Sequence, residues 1–259
     1  MTIKNSPPTT RLCRSNKHQV FVREADLCEE LIGKISFTEM LYYHLMGRRA
    51  STGETAMLDA ILVALMEHGF TPSAIATRMV AVSSPEAMQA AVAAGLLAVG
   101  GMFIGTIEDS ARLLHQIVSA GGDVAAGCEA KVREYTSQKR HIPGFGHHLH
   151  KPDDPRTPVL LKVARESGQA GVHVEVLQVL STEVDRAYKR HVTVNVTGII
   201  GAILSDMNVP VDVIRGIAVI SRAAGLVGHI KEKREQPAAR FIWELAEANI
   251  NNLAGSGEG

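Results

Sequence analysis

The sequence predicts an all-α protein, and three observations lead there. Apolar residues recur at helical spacing through most of the chain. Helix-start devices are frequent: Ser51 and Glu54 are spaced as a capping box, and Thr71-Pro72, Ser84-Pro85 and Asp154-Pro155 each set a capping side chain before a proline. Only Val192-Thr193-Val194-Asn195-Val196 alternates as a strand would, and one short strand makes no sheet. With ordinary helix and loop lengths, 259 residues then hold about eight to eleven helices.

Taken in order, residues 1–20 read as an arm, with Pro7, Pro8 and few apolar side chains. Ser51 opens a helix through Leu65, Thr71-Pro72 opens a second, and Ser84-Pro85 a third. Residues 87–107 carry no charge, are long enough to span a bilayer, and hold Gly101 and Gly105 at GxxxG spacing. The run is rich in Ala and Gly and lacks basic flanks, which favours a core helix packed between two copies of the chain over a membrane span. The Asp154-Pro155 helix should stop near Gly168. Val172, Val176, Val179, Val184 and Ala187 share one face of a helix over 171–190. Pro210 opens the last long helix, 211–233, and Pro237 stops it. A further helix covers 238–248, and 249–259 read as a loose tail.

Composition excludes several function classes. Hydrophobic residues at 46% and charged residues at 21% exclude wholesale disorder. Lys+Arg and Asp+Glu are both 27, so the chain lacks the basic excess of a nucleic-acid binder, and 4% aromatics supply few stacking platforms. Cys13, Cys28 and Cys128 are scattered with no CxxC pair, which argues against a zinc ribbon or disulfide scaffold and for a reducing, cytoplasmic compartment. Residues 1–11 are polar and hold no apolar signal core.

Chemistry concentrates around residues 140–156. Four of the eleven histidines, His141, His147, His148 and His150, fall there beside Gly144 and Gly146. The glycines permit close backbone approach to a ligand, and a following histidine can exchange protons near neutral pH. Arg156 offers a planar fork for a carboxylate. Clustered histidines can also chelate a metal, but no HExxH or carboxylate–histidine spacing supports that reading. A solvated loop with incidental histidines is the plain alternative.

The run Pro143-Gly144-Phe145-Gly146-His147, followed by Asp154-Pro155-Arg156, resembles the signature of the citrate synthase family. The resemblance extends on both sides. Glu67-His68-Gly69-Phe70-Thr71-Pro72-Ser73 is similar to the family's turn carrying an upstream substrate histidine. Residues 95–105 are similar to its glycine-rich segment, Asn195-Val196-Thr197-Gly198 stands at its Asn-Val-Asp motif, and Ser221-Arg222-Ala223-Ala224-Gly225 resembles its late arginine helix. Together these cover about 21–243. The short length and the Gly69-Phe70 turn look like the compact branch, citryl-CoA lyase and the lyase module of ATP-citrate lyase.

The resemblance implies an all-α fold with a large domain, 1–106 and 209–259, and a smaller one, 107–208. It implies a homodimer or higher even oligomer. It implies carbon–carbon bond chemistry between an acyl-CoA and a keto acid, with the CoA thioester as substrate and no tightly bound cofactor. By the resemblance, His147 is the acid/base partner of the keto oxygen, His68 helps hold the keto acid, and Arg156 and Arg222 hold its carboxylates. The backbone at Ile142, Gly144 and Gly146 lies against CoA, Lys151 meets a CoA phosphate, and Asn195 lines the thioester pocket. No metal, nucleic acid or membrane is implied. Taken alone, His68 could be a capping or core histidine, Arg222 a satisfied buried arginine, and Lys151 an ordinary solvated lysine.

Three positions depart from the family pattern. Thr197 stands where the family has its aspartate base, Ile104 where citrate synthases have a histidine for the enolate oxygen, and Gln236 where an arginine crosses the dimer. Arg234 and Arg240 are candidates to replace that arginine. A site so altered fits an enzyme with a changed base or substrate. It also fits a non-catalytic CoA-binding or regulatory homologue.

Overall fold

The computed structural model describes residues 9–101 and 104–250. Eleven α-helices dominate them: α1 Phe37–Met46, α2 Thr52–Met66, α3 Pro72–Ser83, α4 Met88–Leu97, α5 Thr106–Ala120, α6 Val124–Ser137, α7 Arg156–Glu166, α8 Val172–Tyr188, α9 Val196–Asp206, α10 Val211–Glu232 and α11 Ala239–Asn249. The fold is all-α in character, as the helical patterning requires.

Local chemistry sets most boundaries. Ser51 and Glu54 form the predicted capping box at α2, and Ser36 with Glu39 forms a second at α1 that Gly47 closes in the left-handed conformation. Glu54 also binds Arg48 and Tyr42, and Arg48 holds its carboxyl down at about 2. Asp123 caps α6 and Asn195 caps α9. Thr71 stands at the N-cap position of α3 with Pro72 behind it, but its hydroxyl makes no capping bond.

Four expectations are corrected. The arm is partly a three-stranded antiparallel sheet, β1 Cys13–Ser15, β2 Val20–Val22 and β3 Ala25–Asp26, followed by a π-helical turn over Leu27–Leu31. Val22, Ala25 and Leu31 bury against Tyr43 of α1, which gives these short strands a face to pack on. Second, Ser84-Pro85 opens no helix: Ser84 ends α3, a turn follows, and α4 starts three residues past the proline. Third, 87–107 is not one helix. It breaks after Leu97, and a side chain on Gly105 would strike Gly101 at 2.5 Å, so the two glycines approach each other closely rather than forming a packing face for another helix. Fourth, α10 runs Val211–Glu232, within one residue of its expected bounds, but it ends five residues before Pro237, so the proline is not what stops it.

One large core joins α1, α2 and α5 through α10. The helix α9 lies inside it, with Ile199, Ile200, Ile203 and Leu204 at 2% exposure or less. Burial of such side chains contributes about 1.5–3 kcal/mol each, so the residues that α9 carries at its N-terminus are rigidly placed. The helix α10 is long and apolar enough to cross a bilayer, yet it packs on α2, α3, α4 and α5 and buries Ile214, Ile217 and Leu226. The 192–196 alternation yields a single antiparallel bridge, Val194 to Phe145, which ties the segment ahead of α9 to the glycine turn. Residues 249 and 250 are described; the rest of the expected tail, and Met102 and Phe103 of the glycine-rich segment, lie outside the described residues.

Candidate active site

The glycine turn is built against α9. Gly144 and Gly146 have φ of 86° and 77°, conformations that side chains rarely adopt. A Cβ on Gly144 would stand 2.8 Å from the Gly198 Cα, and one on Gly198 would stand 2.6 Å from the Gly144 carbonyl oxygen. The pair therefore lets the first turn of α9 touch the 142–146 loop directly. Asn195 fastens it: its N–H donates to the Gly144 carbonyl at 3.0 Å and its Nδ2 to the Gly146 carbonyl at 2.8 Å. Its Oδ1 accepts from the N–H groups of Thr197 and Gly198 and from the Thr197 hydroxyl. The Ile142 side chain is buried and its carbonyl accepts from the Phe145 N–H, while the Gly146 N–H donates to the Thr193 carbonyl at 2.7 Å.

His147 follows this turn. Its Nδ1 accepts from the N–H groups of Leu149 and His150 at 3.1 and 2.9 Å. A nitrogen that accepts two backbone N–H groups carries no proton, so the neutral ring is protonated at Nε2. Burial, with His150 next in effect, pulls its pKa down to about 4. His147 is therefore a neutral Nε2–H donor at physiological pH. His148 and His150 stack on it at 4.6 and 4.4 Å, and His68 lies 5.7 Å away. One ring nitrogen each of His68, His147 and His150 lies within 4.8 Å of the others, close enough to hold a metal ion. The donor set does not suit one, since both His147 nitrogens are engaged, one by backbone donors and one by its own proton.

His68 stands in the connection from α2 to α3. The Glu67 carboxylate accepts from the N–H groups of His68 and Gly69 at 2.8 and 2.6 Å, and from His229 Nε2 at 3.0 Å. His229 Nδ1 in turn accepts from Arg78 Nε at 3.0 Å, and Arg78 is fully buried. Burial would raise the Glu67 carboxyl, but His229 and the two N–H groups outweigh it and lower it. This chain of bonds was not legible in the sequence, because its members lie far apart along the chain.

The two arginines differ. Arg156 already spends Nε and one terminal nitrogen on Asp154, at 2.9 and 2.8 Å, and Asp154 is fully buried. Asp154 also accepts from the N–H groups of Arg156 and Val196, so it locks α7 to α9. Arg222 is 5% exposed, and its Nε and Nη1 are buried without an acceptor among the described residues. The hydroxyls of Thr71 and Ser73 are in the same state.

The site encloses one cavity of about 1510 Å³, large enough for an extended ligand. Its lining brings together His68, His147, Arg156, Arg222, Asn195 and the glycine turn, and extends past Lys151 to Lys139, Arg140 and Arg190. Lys151 is exposed at this rim. Thr197 and Ile104 also line the cavity. The Thr197 hydroxyl donates to Asn195 and accepts from Thr106 at 3.0 Å. Gln236, Arg234 and Arg240 do not line it: the Gln236 carbonyl accepts from Arg78, and Arg240 pairs with Glu244. Sequence reading missed Thr71 and Ser73 as lining hydroxyls, and it read Asp154 only as part of a motif.

Comparison with known proteins gives the same picture over nearly the whole chain. The solved structure of citryl-CoA lyase from Hydrogenobacter thermophilus superposes with a TM-score of 0.85 at 33% identity, covering 97% of this chain and 96% of that one. The ATP citrate lyase of Methanothrix soehngenii, solved with citrate and coenzyme A, has a TM-score of 0.76 at 20% identity over 90% of this chain and 40% of its own; that likeness concerns the fold. Among sequences, the Helicobacter pylori citrate synthase is 26% identical over 252 residues, 91% of this chain. The Arabidopsis thaliana ATP-citrate synthase beta chain protein 1 is 25% identical over 215 residues. The chain spans 58% of the first of these and 33% of the second. The sequence profile of the citrate synthase C-terminal domain matches residues 14–243, from the first strand to the last helix, and the chain belongs to the citrate synthase family.

Proposed function

We propose that this chain makes or breaks a carbon–carbon bond between an acyl-CoA, acetyl-CoA-like, and a keto acid, oxaloacetate-like. The CoA thioester is a substrate, and no tightly bound cofactor is required. The observation that carries this reading is Arg222. Buried charged donors without acceptors cost several kcal/mol, and a ligand carboxylate supplies the acceptor. The His147 Nε2–H in the same cavity is a donor for a keto or alkoxide oxygen. The basic residues around Lys151 suit phosphates at the far end. The whole-length likeness to a citryl-CoA lyase supports the cleavage direction.

A homodimer is part of the proposal. The uncharged helix α4 exposes Met88, Ala93 and Leu97, beside Met79 and Val82 of α3, a face that a second copy would cover. The division into 1–106 with 209–259 and 107–208 belongs to it too, since His68 and Arg222 come from the first part and His147 and Arg156 from the second.

A specific observation favours a second reading, a non-catalytic CoA binder: the Thr197 hydroxyl is committed to Asn195 and is no base. Calorimetry with CoA, and assays of citryl-CoA cleavage and citrate formation, separate the two. The enzyme reading expects CoA binding, slow citrate formation and loss of activity in His147→Ala. Lys151→Ala should weaken CoA about fivefold, on the order of 1 kcal/mol for a partly exposed charge contact. A wild type that does not bind CoA removes both readings.

A further inference from the structure

We infer that Asp109 is the carboxylate that exchanges the α-proton of the bound acyl-CoA, in place of the one Thr197 lacks. The inference rests on the acyl-CoA reading above. Asp109 is the single Asp or Glu among the described residues that line the cavity, against six Lys and Arg. The other carboxylates of the region are committed. Glu108 pairs with Arg112 and Arg215 at 2.5 and 2.9 Å, and Glu183 with Arg186 at 2.8 Å. Asp206 accepts from the N–H groups of Gly171, His173 and Val174 and from the His173 ring. Asp154 is spent on Arg156 and Val196. Asp109 has no side-chain hydrogen bond or ion pair among the described residues.

Its place on α5 is equally specific. Thr106, three residues earlier on the same face, meets the Thr197 hydroxyl. Ser110, the next residue, sits against the glycine turn: a Cβ on Gly144 would stand 2.8 Å from its Oγ. Asp109 therefore stands between these two contacts along α5, exposed and lining the cavity, about 4.5 Å along the helix axis from Thr106. The neighbours do not compete for the role. Thr197 is a hydroxyl that gives its proton to Asn195, and His147 Nδ1 is occupied by two backbone donors.

In the forward step an Asp109 oxygen takes a proton from the thioester α-carbon. The C–H bond breaks, an O–H bond forms, and the electron pair moves through the new C=C bond onto the thioester oxygen. The enolate carbon then attacks the keto carbon, the C=O π pair moves onto the keto oxygen, and that oxygen, held by the His147 Nε2–H, takes a proton from solvent. In cleavage the hydroxyl gives its proton to solvent, its electron pair re-forms the C=O, the C–C pair leaves as the enolate, and Asp109, protonated from solvent, gives its proton to the enolate carbon.

The test follows deuterium entry into the acetyl group of acetyl-CoA in D2O, with oxaloacetate present, by mass spectrometry. Wild type should exchange, and Asp109→Asn should exchange about 10²–10⁴-fold more slowly with CoA affinity within twofold. Adding Thr197→Asp to Asp109→Asn should restore part of the exchange, which also shows that the variant is folded. Equal exchange in wild type and Asp109→Asn overturns the inference, as does a wild type that binds CoA and exchanges nothing. A wild type that binds no CoA overturns the parent reading as well.

Discussion

Replacing Asp154 by Asn should cost about 3 kcal/mol of stability, or somewhat more. The side chain is fully buried and accepts four hydrogen bonds: the Arg156 N–H at 3.1 Å, Arg156 Nε at 2.9 Å, its terminal nitrogen at 2.8 Å, and the Val196 N–H at 3.0 Å. Asparagine keeps one acceptor oxygen, and its NH2 faces two donors either way: the Arg156 N–H and Nε in place of Oδ1, or the Arg156 terminal nitrogen and the Val196 N–H in place of Oδ2. Hydrogen bonds to charged groups contribute about 1.5–3 kcal/mol, and breaking a buried ion pair costs about 3–5 kcal/mol. For a chain of this size, 3 kcal/mol lowers Tm by roughly 6–12 °C. Differential scanning calorimetry at neutral pH measures the shift, and the KM for the dicarboxylate should rise as Arg156 loses its orientation. A Tm within 2 °C of wild type would refute the reasoning. The pH dependence has a definite sign. Burial pushes the Asp154 carboxyl up, but the Arg156 bonds outweigh it and its pKa falls below the ordinary value. The contribution is therefore present above the ordinary carboxylate pKa and is lost only as pH falls through the lowered one.

Two further outcomes follow from the turn. Gly198→Ala places a methyl 2.6 Å from the Gly144 carbonyl, which should cost about 1–3 kcal/mol and reduce CoA affinity, checked by urea melts and calorimetry. Because the His147 pKa lies at about 4, protonation of His147 should not reduce activity between pH 5 and 7, and a pH–rate profile in which His147 sets an acid limb in that range would refute this.

The sequence made the helices legible wherever a side chain carried the boundary. Ser51–Glu54, Asn195 and Pro210 each act within a few residues, so their meaning does not depend on the fold. It failed where tertiary contact decides. Ser84-Pro85 has the form of a helix start, yet Ser84 serves as the end of α3. The neutral run 87–107 breaks after Leu97, and Gly101 and Gly105 approach each other beyond the break. The same division holds in the site. The turn, His147 and Arg156 lie in one segment and were visible as a pattern. The Arg78–His229–Glu67 chain joins α3, α10 and the end of α2, and the spending of Arg156 on Asp154 depends on side-chain geometry that spacing does not encode.

The chain is neutral overall, yet among the described residues the cavity gathers six Lys and Arg against one carboxylate. That field favours an anionic ligand, and it also acts on the imidazoles. Burial lowers the His68 pKa first, with Arg156, His150 and Arg222 adding to the effect. A dicarboxylate that pairs with Arg156 and Arg222 cancels their share, so the His68 pKa must rise on binding. His147 cannot respond in this way, because its Nδ1 faces the N–H groups of Leu149 and His150. Binding near pH 6 should therefore take up a fraction of a proton, assigned to His68. Calorimetry of oxaloacetate binding in buffers of different ionisation enthalpy measures that uptake directly. His68→Asn should abolish it while leaving Arg222 in place, and His148→Asn should not. Zero uptake in the wild type, or uptake that survives His68→Asn, would show that the bound anion does not sit between the two arginines.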